Sequence, residues 1–272
     1  MEFTAKTIKI KGIAVECFLP EHETSPDPLL FIHGSTCGSW VWENFLNYFA
    51  PRGWTCYALN LRGHHLSEPV SDWGDVGVNS YLEDIDTVVK WLGRAPVLIG
   101  HSMGGVLAQK YAATGVPAKM ILLHTAPPKS VVEKIDFNAF MKRGQEQGRV
   151  LTEKTLQPDK DPQKLIGYMF DPGNVEPEVL QMCHQKMCVE SARALFEMKD
   201  VDVDATKVTC PVYVIGFDLK KIGLDYPIDL GRELALYYGA RDFQVIEPGG
   251  HMFMLEKNWD EFAQLIEKWL KQ

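Results

Sequence analysis

The chain is predicted to fold as an α/β domain: a mainly parallel central sheet with helices on both faces and a helical cap inserted between two of its strands. Three observations predict this. Short apolar runs recur with helix-like segments between them, the rhythm of parallel strands buried on both faces. One run, Val97-Leu98-Ile99, leads directly into Gly100-His101-Ser102-Met103-Gly104, the G-x-S-x-G pattern of a serine lifted onto a sharp strand-to-helix turn. The rhythm breaks over residues 127–206, where helix-like patches occur without a strand run.

Taken in order, residues 7–10 and 13–18 flank Lys11-Gly12 and predict an opening β-hairpin. The apolar runs at 29–32, 57–59, 97–99, 120–123, 212–215 and 243–246 predict the strands of the sheet. Helical spacing over 42–49, 80–92, 103–113, 229–238 and 260–270 predicts the helices between and after them, with Gly115 and Pro117 stopping the third. Helix-like patches at 139–148, 161–170, 176–188 and 192–199 form the predicted cap, so the core is expected over 1–126 and 207–272 and the cap over 127–206. In open sheets of this kind the ligand site lies beyond the carboxyl ends of the strands. His33, Ser102, Asp218 and His251 fall at those ends. Ser102 would also stand at the positive end of a helix, beside N–H groups suited to a developing negative charge.

At 272 residues and 46% hydrophobic content, the chain is long enough for one large domain with a full core. Its net charge of −8 comes without a cluster of Lys and Arg, which argues against nucleic acid as a partner. No apolar run has transmembrane length and the N-terminus lacks the pattern of a signal peptide, so no membrane span and a cytoplasmic location are expected. The cysteines at 17, 37, 56, 183, 188 and 210 form no C-x-x-C pair. They are expected to be free thiols filling the core, and no metal site is expected.

The motif Gly-His-Ser-Met-Gly-Gly at 100–105, with Phe31-Ile32-His33-Gly34 before it, Leu61-Arg62-Gly63-His64 between them and Pro248-Gly249-Gly250-His251 near the end, resembles the α/β-hydrolase family over roughly residues 10–270, apart from the middle. The resemblance implies an α/β-hydrolase fold and a cofactor-free hydrolase acting on a small-molecule acyl substrate. It implies Ser102 as nucleophile and His251 as base, on a loop similar to the family's catalytic-histidine loop down to Met252. The His33-Gly34 pair is similar to the family's His-Gly element, after which a backbone N–H meets the oxyanion. Carried over, the donors are the N–H groups of Ser35 and Met103, with His33 and His101 as supports beside the site.

Acyl transfer by a serine also needs an acid to orient the base, and here the chain departs from the family. A carboxylate usually sits a few residues beyond the strand that is 212–215 here, and Leu219 or Lys220 occupies that place. Asp218 is a residue or two early and Asp225 is late. After the strand at 120–123, where some family members carry the acid, stands His124-Thr125-Ala126-Pro127 without a carboxylate. Asp218 is the candidate, since it lies between Ser102 and His251 in the order Ser, Asp, His, and Asp225 is second. His65, where the family commonly has glycine, is expected to be a loop residue near the cap, and Lys220 could signal altered chemistry.

Trp40 is a candidate pocket wall, and Met141 and Met182 are candidate substrate contacts from the cap. An adaptable apolar lining favours an acyl or alkyl group over a highly charged substrate. The expected function is therefore hydrolysis of a small to medium, largely apolar carboxylic ester through a Ser-His-Asp triad. The same scaffold in the family also supports C–C, lactone or amide hydrolysis and cofactor-free lyase chemistry, and the displaced acid leaves open a ligand-binding protein with little turnover.

Overall fold

A computed structural model of the chain describes residues 2–146, 149–158, 161–167, 169–225 and 228–272. The strands are β1 (Phe3–Ile10), β2 (Ile13–Pro20), β3 (Leu29–Ile32), β4 (Cys56–Leu59), β5 (Val97–His101), β6 (Lys119–Leu123), β7 (Val150–Leu151), β8 (Thr155–Gln157), β9 (Glu190–Ser191), β10 (Val212–Ile215) and β11 (Asp242–Gln244). The helices are α1 (Glu43–Phe49), α2 (Val78–Leu92), α3 (Met103–Ala112), α4 (Lys129–Val132), α5 (Phe137–Glu146), α6 (Pro177–Lys186), α7 (Ala192–Glu197), α8 (Leu230–Tyr238) and α9 (Trp259–Leu270).

Eight strands form the main sheet in the order β1-β2-β4-β3-β5-β6-β10-β11. The first two strands pair antiparallel, as do β2 and β4, and the others pair parallel. This is the α/β architecture expected, with an antiparallel edge contributed by the opening hairpin. Four inner strands, β3, β4, β5 and β10, are buried along their whole length, which is why they read as continuous apolar runs rather than alternating ones. Helices α1 and α9 pack on one face around Trp42, Phe45, Phe253, Phe262 and Trp269. Helices α2 and α3 pack on the other around Tyr81, Ile85, Val106 and Leu107. Each such fully buried side chain contributes about 1.5–3 kcal/mol by leaving water.

The register positions the site. Ile32 lies opposite Gly100, and His101 opposite Leu123, which in turn lies opposite Ile215. The segments that leave β3, β5, β6 and β10 therefore emerge side by side at one edge, and residues 34–35, 102, 124 and 216–217 meet there. Among the described residues no helix is long and apolar enough to cross a membrane.

Between β6 and β10 the structure differs from expectation in two respects. Besides helices, this region carries the antiparallel sheet β7-β8-β9. Its strands are two or three residues long, too short to show an alternating pattern. The helix expected over 161–170 is a single 3-10 turn, Pro162–Leu165, followed by Gly167 at φ 77, a left-handed conformation that ends helical continuation.

Candidate active site

Ser102 joins β5 to α3 at φ 53 and ψ −120, a conformation that an L residue adopts only when its surroundings impose it. They do so through both ends of its peptide. Its N–H donates to the Leu123 carbonyl at 3.2 Å, and its carbonyl accepts from Gly105 N–H (3.0 Å), Ala126 N–H (3.1 Å) and the Thr125 hydroxyl (3.2 Å). A Cβ at Gly100 would lie 2.6 Å from the Gly104 carbonyl oxygen, and one at Gly104 would strike the backbone of Ile32 and His33. Close approach of strand and helix thus demands both glycines. As the first residue of α3, Met103 presents an N–H that no helical carbonyl satisfies.

His251 follows β11 on a loop whose backbone is tied down on all sides. Gly249 N–H donates to Asp171 Oδ2 at 2.5 Å, Gly250 N–H to Glu256 Oε2 at 2.9 Å, and Met252 N–H to the Met169 carbonyl at 2.7 Å. His101 Nε2 lies 2.8 Å from the His251 carbonyl and so carries the proton. Its Nδ1 is a bare lone pair, buried without a partner, and burial lowers its pKa to about 4. The His251 ring stands among rings: His101 at 4.7 Å between centroids, Phe217 at 5.6 Å and His124 at 6.2 Å. Burial, then His101, His124 and the Arg149 guanidinium, push its pKa well below the ordinary histidine value. His251 is therefore neutral near pH 7 and able to accept a proton.

The expected acid is where the structure departs from the sequence reading. Asp218 is exposed, and its carboxylate accepts from Lys220 N–H at 3.0 Å, capping the 3-10 turn that follows β10. Asp225 is exposed as well and pairs with Lys220 at 3.2 Å. No hydrogen bond or ion pair joins either aspartate, or Lys220, to His251 among the described residues. The physical cause is local: an aspartate ahead of a turn is captured by the free N–H two residues on, and that capture holds Asp218 at the surface. What faces His251 from the neighbouring strand end is His124, at φ 42 and buried. Its ring lies within 22° of parallel to that of His251, and its Nδ1 is buried without a partner.

A cavity of about 120 Å³ contains Ser102 and His251 together with Ser35, Met103, His101 and His124. Three other expected contacts do not line it. His33 is fully buried behind it, its Nε2 accepting from Leu61 N–H (3.1 Å) and its Nδ1–H donating to the Gly34 carbonyl (2.8 Å), so it supports the loop rather than touching substrate. Trp40 is 3% exposed within the aromatic core beside α1, because the helical turn after Gly38 turns it inward. Met182 packs, partly buried, against the same core. The side chain of Met141 lies outside the described residues. From the cap, Met169, Leu195 and Met198 supply the apolar wall instead, with Arg149 and Lys199. His65 is exposed at φ 44.

One buried cluster beside the site escaped the sequence reading. Glu190 of β9, fully buried, accepts from His64 Nε2 at 3.1 Å, from the Tyr81 hydroxyl, and from Thr36 N–H at 3.4 Å. His64 Nδ1 lies 3.0 Å from the Arg62 carbonyl, so both its nitrogens face acceptors and both carry protons. Burial opposes that charge, but Glu190, together with the Arg62 carbonyl and Asp84, outweighs it and raises the His64 pKa. Cys188 N–H donates to the Thr36 carbonyl at 2.9 Å. Thr36, itself at φ 60, is thus gripped through its N–H and its C=O by residues 188–190, immediately after the predicted oxyanion donor Ser35. A lone glutamate in Cys188-Val189-Glu190-Ser191 carries no pattern that would have pointed to this.

Residues 29–265 match the sequence profile described as the Alpha/beta hydrolase family. A non-heme chloroperoxidase of Streptomyces lividans is 33% identical over 115 residues, which are 41% of this chain and 40% of that protein; the chain thus spans less than half the length of this relative. Among solved structures, a tomato methylketone synthase I variant complexed with beta-ketoheptanoate superposes with a TM-score of 0.71 at 16% identity, covering 91% of this chain and 99% of that one. Polyneuridine aldehyde esterase superposes with a TM-score of 0.69 at 16% identity, covering 89% and 99%. At these identities the likeness is one of fold.

Proposed function

The chain belongs to the alpha/beta hydrolase family, and from that premise we propose that it is a cofactor-independent serine hydrolase of carboxylic acyl compounds. The observation that carries this reading is the strained Ser102 at the head of α3, sharing one cavity with His251, Ser35 and Met103. In the proposed cycle His251 takes the Ser102 proton as Oγ attacks the acyl carbon. The N–H groups of Ser35 and Met103 hold the oxyanion, and the proton passes to the leaving group as the carbon–heteroatom bond breaks. His251 then takes a proton from water as the oxygen attacks the acyl-enzyme, and the imidazolium returns that proton to Ser102 Oγ as the acid leaves.

No carboxylate orients His251 among the described residues, so the proposed machinery is a serine–histidine pair. Orientation of the imidazole comes from its backbone, held by Asp171, Glu256 and His101, and from the rings of His101, His124 and Phe217. A second reading, a lyase in which His251 moves a proton without an acyl-enzyme, is favoured by the same missing carboxylate. Labelling with a fluorophosphonate separates the two. We expect Ser102 to be labelled, with labelling and ester turnover both lost in Ser102→Ala and His251→Ala. Turnover that survives Ser102→Ala would leave the lyase reading, and labelling at another residue would overturn the nucleophile.

A further inference from the structure

The loop that presents His251 carries an inference about how the serine–histidine pair works without an orienting acid, and it rests on the serine-hydrolase reading. That loop is built against residues 169–171, which belong to the insert between β6 and β10 rather than to the sheet domain. The contacts fall on both sides of the base. Met252 N–H donates to the Met169 carbonyl (2.7 Å) and Gly249 N–H to Asp171 Oδ2 (2.5 Å). Between them, a Cβ at Gly250 would lie 2.6 Å from the Asp171 nitrogen and 2.7 Å from Phe170 Cα, so the two backbones touch immediately before His251.

Asp171 is itself held from the core side. Its N–H donates to Glu256 Oε1 at 2.6 Å, and the other oxygen of that buried glutamate accepts from Gly250 N–H at 2.9 Å. The Asp171 carboxylate also meets Lys221, from the 3-10 turn after β10, at 2.8 Å. Lys221 reaches Glu247 as well, and donates to the Gly249 carbonyl at 3.3 Å. Gly249 is thus gripped through its N–H by Asp171 and through its C=O by Lys221. The side chains of Asp171 and Lys221 are 17% and 24% exposed, which sets the pair apart from the solvent-screened pairs of a protein surface. Burial works against the Lys221 charge, but the bonds to Asp171 and Glu247 outweigh it and raise the lysine's pKa.

We propose that Asp171 is the positioning residue for His251: a carboxylate supplied by the insert, which fixes the base through the backbone of its loop, where an acid after β10 would have fixed the imidazole directly. Lys221 is the partner that aims this carboxylate at Gly249. The insert then takes part in the chemistry as well as in walling the cavity. At its other end it holds Thr36, next to the oxyanion donor, through Cys188 and Glu190, so the base loop and the oxyanion loop are both docked on it. Removing a hydrogen bond to a charged group of this kind corresponds to about a ten- to hundred-fold loss.

The test measures kcat and KM on a neutral ester, the rate at which a fluorophosphonate labels Ser102, and the imidazole NMR signals of His251, assigned against His251→Ala. It uses the full chain and its variants Asp171→Ala, Asp171→Asn and Lys221→Gln, each well below its melting temperature. We expect Asp171→Ala to lower kcat and the labelling rate about ten- to hundred-fold with KM nearly unchanged, and to broaden or double the His251 signals as the ring loses its single orientation. Asp171→Asn, which still offers Gly249 an acceptor, should recover most of that loss. Lys221→Gln should show a smaller effect that disappears when residue 171 is changed to alanine as well. Wild-type kcat in folded Asp171→Ala, or a rise in KM alone, would overturn the proposal. Should Asp171→Ala not fold, Lys221→Gln decides: unchanged kcat and unchanged His251 signals there would overturn it too. If the wild type is neither labelled nor turns over ester, the hydrolase reading fails by itself, and His251 signals identical in the wild type and Asp171→Ala then refute the positioning role separately.

Discussion

Replacing His124 by aspartate puts a carboxylate where the structure has an imidazole facing His251. The backbone accepts the change, because His124 sits at φ 42 and aspartate and asparagine tolerate that region better than most residues. In the wild type, burial first, and then the neighbouring His101, His124 and Arg149, which oppose a further positive charge, keep His251 well below its ordinary pKa of 6.5. A base works only when deprotonated, so the rate is lost as pH falls through the folded-state pKa, and a depressed pKa moves that loss to more acidic pH. The centroids of His124 and His251 are 6.2 Å apart. At that separation, with an effective dielectric constant of about 20, a negative charge favours the imidazolium by about 2.7 kcal/mol, or about two pKa units. The acidic limb of kcat/KM, measured on a neutral ester, should therefore lie below the ordinary histidine range in the wild type and move up by about two units in His124→Asp. His124→Asn, which keeps the backbone fit but removes the imidazole without adding a negative charge, should move the limb by much less than His124→Asp. If the limb stays put in His124→Asp, or moves equally in both variants, His251 is not the base whose ionisation governs the rate.

Asp218→Asn should change kcat/KM by less than about two-fold, because asparagine caps a turn as well as aspartate and no hydrogen bond or ion pair joins Asp218 to His251 among the described residues; a loss approaching four orders of magnitude, as expected on removing an orienting acid, would restore it as the third member. Glu190→Gln should destabilise the fold by about 3–5 kcal/mol, the cost of breaking a buried charge pair on one side, and lower kcat by loosening Thr36 next to the oxyanion donor; a melting temperature and kcat equal to wild type would refute the role of the cluster. Because the His64 pKa is raised in the folded chain, its stabilisation is fully present below its unfolded value and lost as pH rises through the folded one. Thermal melts should accordingly show the gap between wild type and His64→Gln narrowing as pH rises above neutrality, and a gap independent of pH would show that His64 is uncharged.

Much of the architecture is legible in the sequence because it depends on local pattern. Continuous apolar runs mark strands buried on both faces, and helical spacing marks the layers on either side. The Gly100–Gly104 element marks a turn so tight that only glycine fits at its ends. Strand ends in a parallel sheet converge on one edge, so the sequence also brings Ser102 and the loop of His251 to the same place. The remainder depended on contacts between distant segments. Whether Asp218 reaches His251 is decided by competition with the nearest free N–H, and the local turn won. The strands of the cap are too short for periodicity to register, and what fixes them is pairing. Glu190 meets His64 across 126 positions of chain, and Arg149 lines the cavity beside Met169, 20 positions further on. No spacing in a sequence encodes such encounters. The tertiary structure alone determined the charge of the cavity and the imidazole in the acid's place, since both arise from which side chains burial leaves facing one another.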